Sequence, residues 1–171
     1  MFEYMMPNLL MPSACGSLMR NSMQSAIALQ IKKMREGIWG ITEAGYAAFD
    51  QMLNYQYRAF GIKGLALSGE ANETVYAPYG VLIALEYAFF KGMDSLKNMQ
   101  EAGMKGEYGF YEAIDFSKEN KPRIVYSYMS HHQGMGFIAI CNLLTDNALK
   151  KHFLNHPNEQ ALTPLLNVAA L

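Results

Sequence analysis

Three stretches hold residues whose types could do chemistry: Trp39 to Arg58 (WGITEAGYAAFDQMLNYQYR), YGFYEAID around Glu112, and His131-His132-Gln133-Gly134-Met135. Glu43 follows a Trp-Gly turn and precedes a run that can continue as a helix. A carboxylate at a helix N-terminus is stabilised as the anion by the aligned peptide dipoles. One wedged among Trp39, Tyr46 and Tyr55 is instead desolvated and pushed toward protonation. Either state serves catalysis, and Glu112 sits in a similar aromatic and glycine context. Cleaving a glycosidic bond requires a proton for the leaving oxygen and a second carboxylate that attacks the sugar or activates water. Glu43 and Glu112 are the natural pair for that task. The plainer reading is that each acid caps a helix or pairs with Arg58 or Arg123.

Two more acids compete with this pair. Glu3, between Phe2 and Tyr4, could bind substrate or replace Glu43. Asp115, three residues after Glu112, would be its neighbour on a helical turn, or else a cap for the next segment of chain. Asp50, seven residues after Glu43, shares its face if that helix is regular, and could support it from behind. Adjacent His131 and His132 are expected on different sides of a helix with no carboxylate at helical spacing, so no metal site is expected. With Gln133 they offer donors and acceptors that match sugar hydroxyls, the plain alternative being histidines packed into the core. Trp39, Tyr108 and Tyr111 flank the acids on glycine-rich turns and are candidate platforms for sugar rings. Tyr46, Tyr55 and Arg58 surround Glu43 in sequence and join the candidate substrate contacts. Tyr46, like Tyr57, Tyr87 and Phe89, would pack into the core by default.

The elements that must position these groups read as helices separated by Gly and Pro turns. Leu18, Met23, Ile27, Ile31 and Met34 recur at steps of three to five and place one helix over Ser17 to Glu36, closed by Gly37. A second is expected from Ala44 to Phe60 and a third from Tyr76-Ala77-Pro78 to Phe90, with Pro78 in its first turn. Asp94 would cap a short one ending near Gly103, and Gly106 to Phe116 reads as a loop or short extended segment. Ser127 to Leu144, Asp146 to Leu154 and a tail from Asn158 complete an all-α reading of about seven helical segments. The 171 residues, 51% apolar with a net charge of −1, allow one domain with a sizeable core. There is no basic stripe for nucleic acid. No cofactor is implied. Cys15 and Cys141 lack a CxxC partner, and the absence of a basic leader or long apolar run makes a cytoplasmic location the default.

Several blocks in register, FEYMMPNLLMP, WGITEAGY, LNYQYRAFGIKGL, APYG, GEYGFYEAIDF and SYMSHHQGM, carry a family likeness. From about Met1 to His156 the chain resembles the glycoamylase-like domain of cyclic β-1,2-glucan synthases and related endo-β-1,2-glucanases. The resemblance implies an α/α toroid that hydrolyses or transfers β-1,2-glucan, with acids matching Glu43 and Glu112 implicated in activity. Glu112 is then the first choice for general acid and Glu43 for the partner carboxylate. It also implies a partial toroid whose upstream half lies elsewhere, to be covered by that missing part or by a second copy. The competing expectation is a glucan-binding module without chemistry. Gly136 stands where the family usually has Ser, the ALSGEANETV loop departs from the usual charges, and Pro164 interrupts the last helix.

Overall fold

The computed structural model describes residues 1–66, 73–118 and 121–157, with positions 161 and 164. The expected charge change in ALSGEANETV and the tail from Asn158 lie mostly outside them. The chain opens with a short helix α1 (Phe2–Met5), a 3-10 turn (Met6–Leu9) and helix α2 (Leu18–Lys32). Ser17 caps α2 by accepting the Arg20 N–H. The buried face of α2 is Met23, Ala26, Ile27 and Gln30, while Leu18 and Met34 are exposed. A spacing nearer 3.6 than the looser one read from the apolar residues decides which side packs.

The stretch expected as one helix from Ala44 to Phe60 is a hairpin of β1 (Ala44–Phe49) and β2 (Tyr55–Arg58). They pair antiparallel as Ala44 with Arg58, Gly45 with Tyr57 and Tyr46 with Gln56. The reversal lies in the turn chemistry. Asp50 Oδ1 accepts the N–H groups of Met52 and Asn54, and Leu53 adopts φ 64. A side chain that captures the backbone this way competes with the helical ladder and stops it.

Strand β3 (Val75–Tyr76) then precedes α3 (Pro78–Leu82) and α4 (Leu85–Glu101). The expected single helix to Phe90 is thus broken after Leu82. α4 runs on through a non-helical Ala88 and carries Asp94 in its interior, not at a cap. The aromatic segment after it folds into β4 (Lys105–Gly106), β5 (Gly109–Phe110) and β6 (Ala113–Asp115). β7 (Arg123–Val125), α5 (Ser130–Leu144) and α6 (Ala148–Leu154) come next. β6 is the centre of an antiparallel sheet β3-β6-β7, which explains why all three of its residues are buried. The hairpin packs through β1 on β6 and β7, and α5 packs on α3, α4 and α6. Among the described residues, seven strands in three small antiparallel sheets overturn the all-α toroid reading. Helix spacing alone could not reveal strands of two to six residues, too short for a clear alternating pattern.

The core joins these layers through Met5, Met23, Ile41, Val81, Met99 and Ile114. Trp39 belongs to it: its indole donates to the Lys91 carbonyl at 3.0 Å, and its backbone N–H donates to Ser95 Oγ. The next residue, Gly40, has φ 114, and a Cβ there would lie 2.8 Å from the Ala77 carbonyl oxygen and 3.0 Å from Val81. Gly40→Ala is therefore expected to cost about 1–3 kcal/mol through backbone strain and crowding, read as a lower urea midpoint. Cys15 and Cys141 are free thiols. No helix of the described residues is long and apolar enough to cross a membrane.

Candidate active site

Four elements deliver five side chains to one place. The backbone before β1 is held first. The buried Gln30 amide donates to the Ile41 carbonyl at 2.6 Å and accepts the Ile41 N–H at 2.8 Å. Thr42 then contacts the Tyr79 hydroxyl at 2.7 Å, and that hydroxyl donates to the Glu43 carbonyl at 2.9 Å. With both flanks pinned, Glu43 projects its carboxylate half-buried. The hairpin brings Tyr57 alongside, because Gly45 and Tyr57 are cross-strand partners. The segment entering β6 supplies Glu112, and the first turn of α5 supplies His131 and His132.

The result is a continuous line of polar contacts. Tyr57 donates its hydroxyl proton to Glu43 Oε1 at 2.7 Å and lies 3.4 Å from His132 Nε2. His132 Nδ1 is 2.9 and 3.1 Å from the two oxygens of Glu112, and Glu112 Oε1 also accepts the Gly45 N–H at 3.1 Å. Glu112 and His132 are 2% and 1% exposed, so this part of the line is shielded from bulk solvent and its hydrogen bonds are strong. A carboxylate beside Nδ1 assigns the ring proton there and leaves the Nε2 lone pair against the Tyr57 oxygen, whose single proton goes to Glu43, so this 3.4 Å approach is a packing contact. The Tyr79 ring stacks on His132 at 3.8 Å between centroids and 14° between planes, which fixes the imidazole orientation. Burial pushes the Tyr57 phenol well above its ordinary range, and the Glu43 hydrogen bond pushes it further. Tyr57 thus remains a donor to Glu43 at neutral pH. Burial also raises Tyr79. It lowers His131, with His132 acting in the same direction.

Chemically the two acids are not equivalent. Glu43 is reachable and has one side-chain donor, so it can exchange a proton with a bound molecule. Glu112 has both oxygens beside the His132 Nδ1, and from it the contacts lead through His132 and Tyr57 to Glu43. It also lines a cavity of about 200 Å³ with Tyr79, Phe110, Tyr111 and Gln133. Gln133 donates to the Phe110 carbonyl.

The remaining candidates are dispersed. Glu3 is exposed on α1, and its charge bears on Tyr57. Trp39 is 1% exposed and offers no open face. Tyr46 packs edge-on against Phe60 with Arg58 over its ring at 6.0 Å. Tyr55 packs on Phe49 and accepts the Tyr126 N–H. Tyr108 and Tyr111 join Tyr126 and Tyr128 in an aromatic cluster, in which Tyr108 is 74% exposed. Asp115 is not Glu112's neighbour on a helical turn, since it lies in β6. Its buried carboxylate accepts the N–H groups of Ala47 and Ser117 and reaches Arg123 at 3.5 Å. Asp50 belongs to the hairpin turn rather than to the surroundings of Glu43. His131 and His132 converge, with ring centroids 4.0 Å apart, because both flank Tyr57 at the start of α5. Tyr57 is legible in the sequence only as a core residue, and Tyr79 only as part of the APYG block. The alternation in YQYR, read as a strand, is the signal that places Tyr57 beside Glu43.

The chain belongs to the Glycoamylase family, described as "Putative glucoamylase", whose model matches residues 23–157. It is similar to the cyclic β-(1,2)-glucan synthase NdvB of Rhizobium meliloti (strain 1021), at 33% identity over 178 aligned positions that cover 99% of this chain and 6% of that protein. Its fold is similar to that of an endo-β-1,2-glucanase from Chitinophaga pinensis in complex with sophorotriose and glucose. There the TM-score is 0.69 and the identity 18%, over 97% of this chain and 40% of the other. A β-1,2-glucanase from Parabacteroides distasonis aligns with TM-score 0.69 and 19% identity, over 94% of this chain and 23% of the other. The chain therefore spans 6% of the synthase and less than half of each of these two structures.

Proposed function

We propose that this chain is part of a carbohydrate-active enzyme that cleaves or transfers β-1,2-linked glucose chains. In this reading Glu43 is the carboxylate that meets the substrate. The observation that carries it is the contact line from Glu43 through Tyr57 and His132 to Glu112. A half-buried acid is given one fixed donor and a rigid support that is buried at its far end, which is how a proton-transferring group is held to one geometry. This changes the division of labour expected from sequence: Glu112 becomes a positioning residue that acts through His132. Glu3, exposed and electrostatically felt at Tyr57, is the second carboxylate available on that side. Tyr108 and Tyr111 supply ring faces for sugars.

The proton balance is simple. Glu43 either gives its proton to the glycosidic oxygen as the bond to the sugar breaks, or takes one from the water or sugar hydroxyl that attacks. Incubating the protein with linear β-1,2-glucan and sizing the products is the test. Shorter chains are expected for hydrolysis, and cyclic or redistributed chains for transfer. Unchanged glucan that nevertheless binds would overturn the enzymatic reading in favour of a binding module.

A further inference from the structure

The convergence of His131 and His132 on Glu43 brings an adjacent pair of histidines to a carboxylate from a distant part of the sequence. One carboxylate oxygen of Glu43 and one ring nitrogen from each histidine all lie within 4.8 Å of one another. Donors around one tetrahedral zinc ion, at bond lengths of about 2.0–2.2 Å, stand roughly 3.4 Å apart. The contraction required falls on His131, which is exposed and free to swing inward. His132 is already prepared. Its Nδ1 is engaged by Glu112, Glu112 is itself held by the Gly45 N–H, and the ring is clamped against Tyr79. A carboxylate behind a histidine is the support that orients metal-binding imidazoles and raises their basicity.

We infer that Glu43, His131 and His132 form a binding site for a divalent transition-metal cation of the zinc type. Two imidazoles and one carboxylate match zinc or its neighbours in the first transition row. Magnesium and calcium ask for a shell of oxygens that this cluster lacks. The positive end of α5 opposes a cation here, and the charge of Glu43 offsets it. The Tyr57 hydroxyl borders the same space, 2.7 Å from Glu43 and 3.4 Å from His132 Nε2. A bound ion would therefore occupy the same Glu43 carboxylate that Tyr57 contacts. If Glu43 does the chemistry proposed above, such an ion inhibits it. That consequence rests on the functional reading, but the site itself does not.

Calorimetric titration of metal-stripped protein with zinc chloride is the test. A single site is expected, lost in His131→Ala and in Glu43→Gln and weakened about 10–100-fold in Glu112→Gln, with no binding of magnesium or calcium chloride. Because His131 is exposed, its replacement leaves the fold intact, which circular dichroism checks. Zinc binding that is absent, or equally strong in His131→Ala, would overturn the assignment and move any bound zinc to Cys15, His152 or His156. Zinc that binds as expected yet leaves glucan processing unchanged would keep the site and overturn the role of Glu43 instead.

Discussion

Glu43→Gln is expected to slow the processing of β-1,2-glucan by about 10²–10⁴-fold, the range lost when a general acid or base is removed. The amide keeps the side chain's shape and can still accept from Tyr57, so stability should change by no more than roughly 1 kcal/mol. Product formation at saturating glucan, together with the thermal midpoint, measures both quantities. A variant that retains activity within a few-fold would transfer the chemistry to Glu3 or to another acid.

Glu112→Ala should do the opposite, damaging the fold as well as the chemistry. It strips the Gly45 N–H and His132 Nδ1 of their shared acceptor at a position that is 2% exposed. Leaving two buried polar groups without a partner is expected to cost about 3–5 kcal/mol, a large fraction of the stability of a small domain. Urea unfolding measures the loss. Glu112→Gln separates the roles, because it fills the same volume but presents an amide N–H in place of one oxygen. If Glu112 positions His132 for the chemistry, this variant loses kcat while its KM for glucan is kept. If Glu112 is only a staple, both stay near the original values once the protein is folded.

Much of the site can be read from residue context, and the gaps have identifiable causes. Glu43 and Glu112 stand out because an acid among glycines and aromatic rings has few solvated alternatives. His132 stands out because it lies in a block shared with a family. Their difference in surroundings is not legible there, since it depends on burial: Glu112 enters β6 at the centre of a sheet, whereas Glu43 sits at the mouth of a hairpin. That hairpin is hidden because Ala44, Ala47 and Ala48 favour a helix, and the Asp50 turn that overrides them acts through two backbone N–H groups. Trp39 shows the reverse error. It is four residues from Glu43, but Gly40 turns the chain so sharply that the indole is buried in the core. Closeness in sequence therefore says nothing about its access to substrate.

The contact line also has a history in time. Its bonds join Gly45 to Glu112 across 67 positions and Tyr57 to His132 across 75, so none of these pairings arises from local folding. A ribosome adds about 5–20 residues per second. Glu43 is thus made on the order of several seconds before the imidazole that will stand behind it. Until then the hairpin can form and bring Tyr57 to Glu43, but nothing stands behind Tyr57. A translation product that stops short of residue 132 would carry the glutamate without the surroundings that distinguish it.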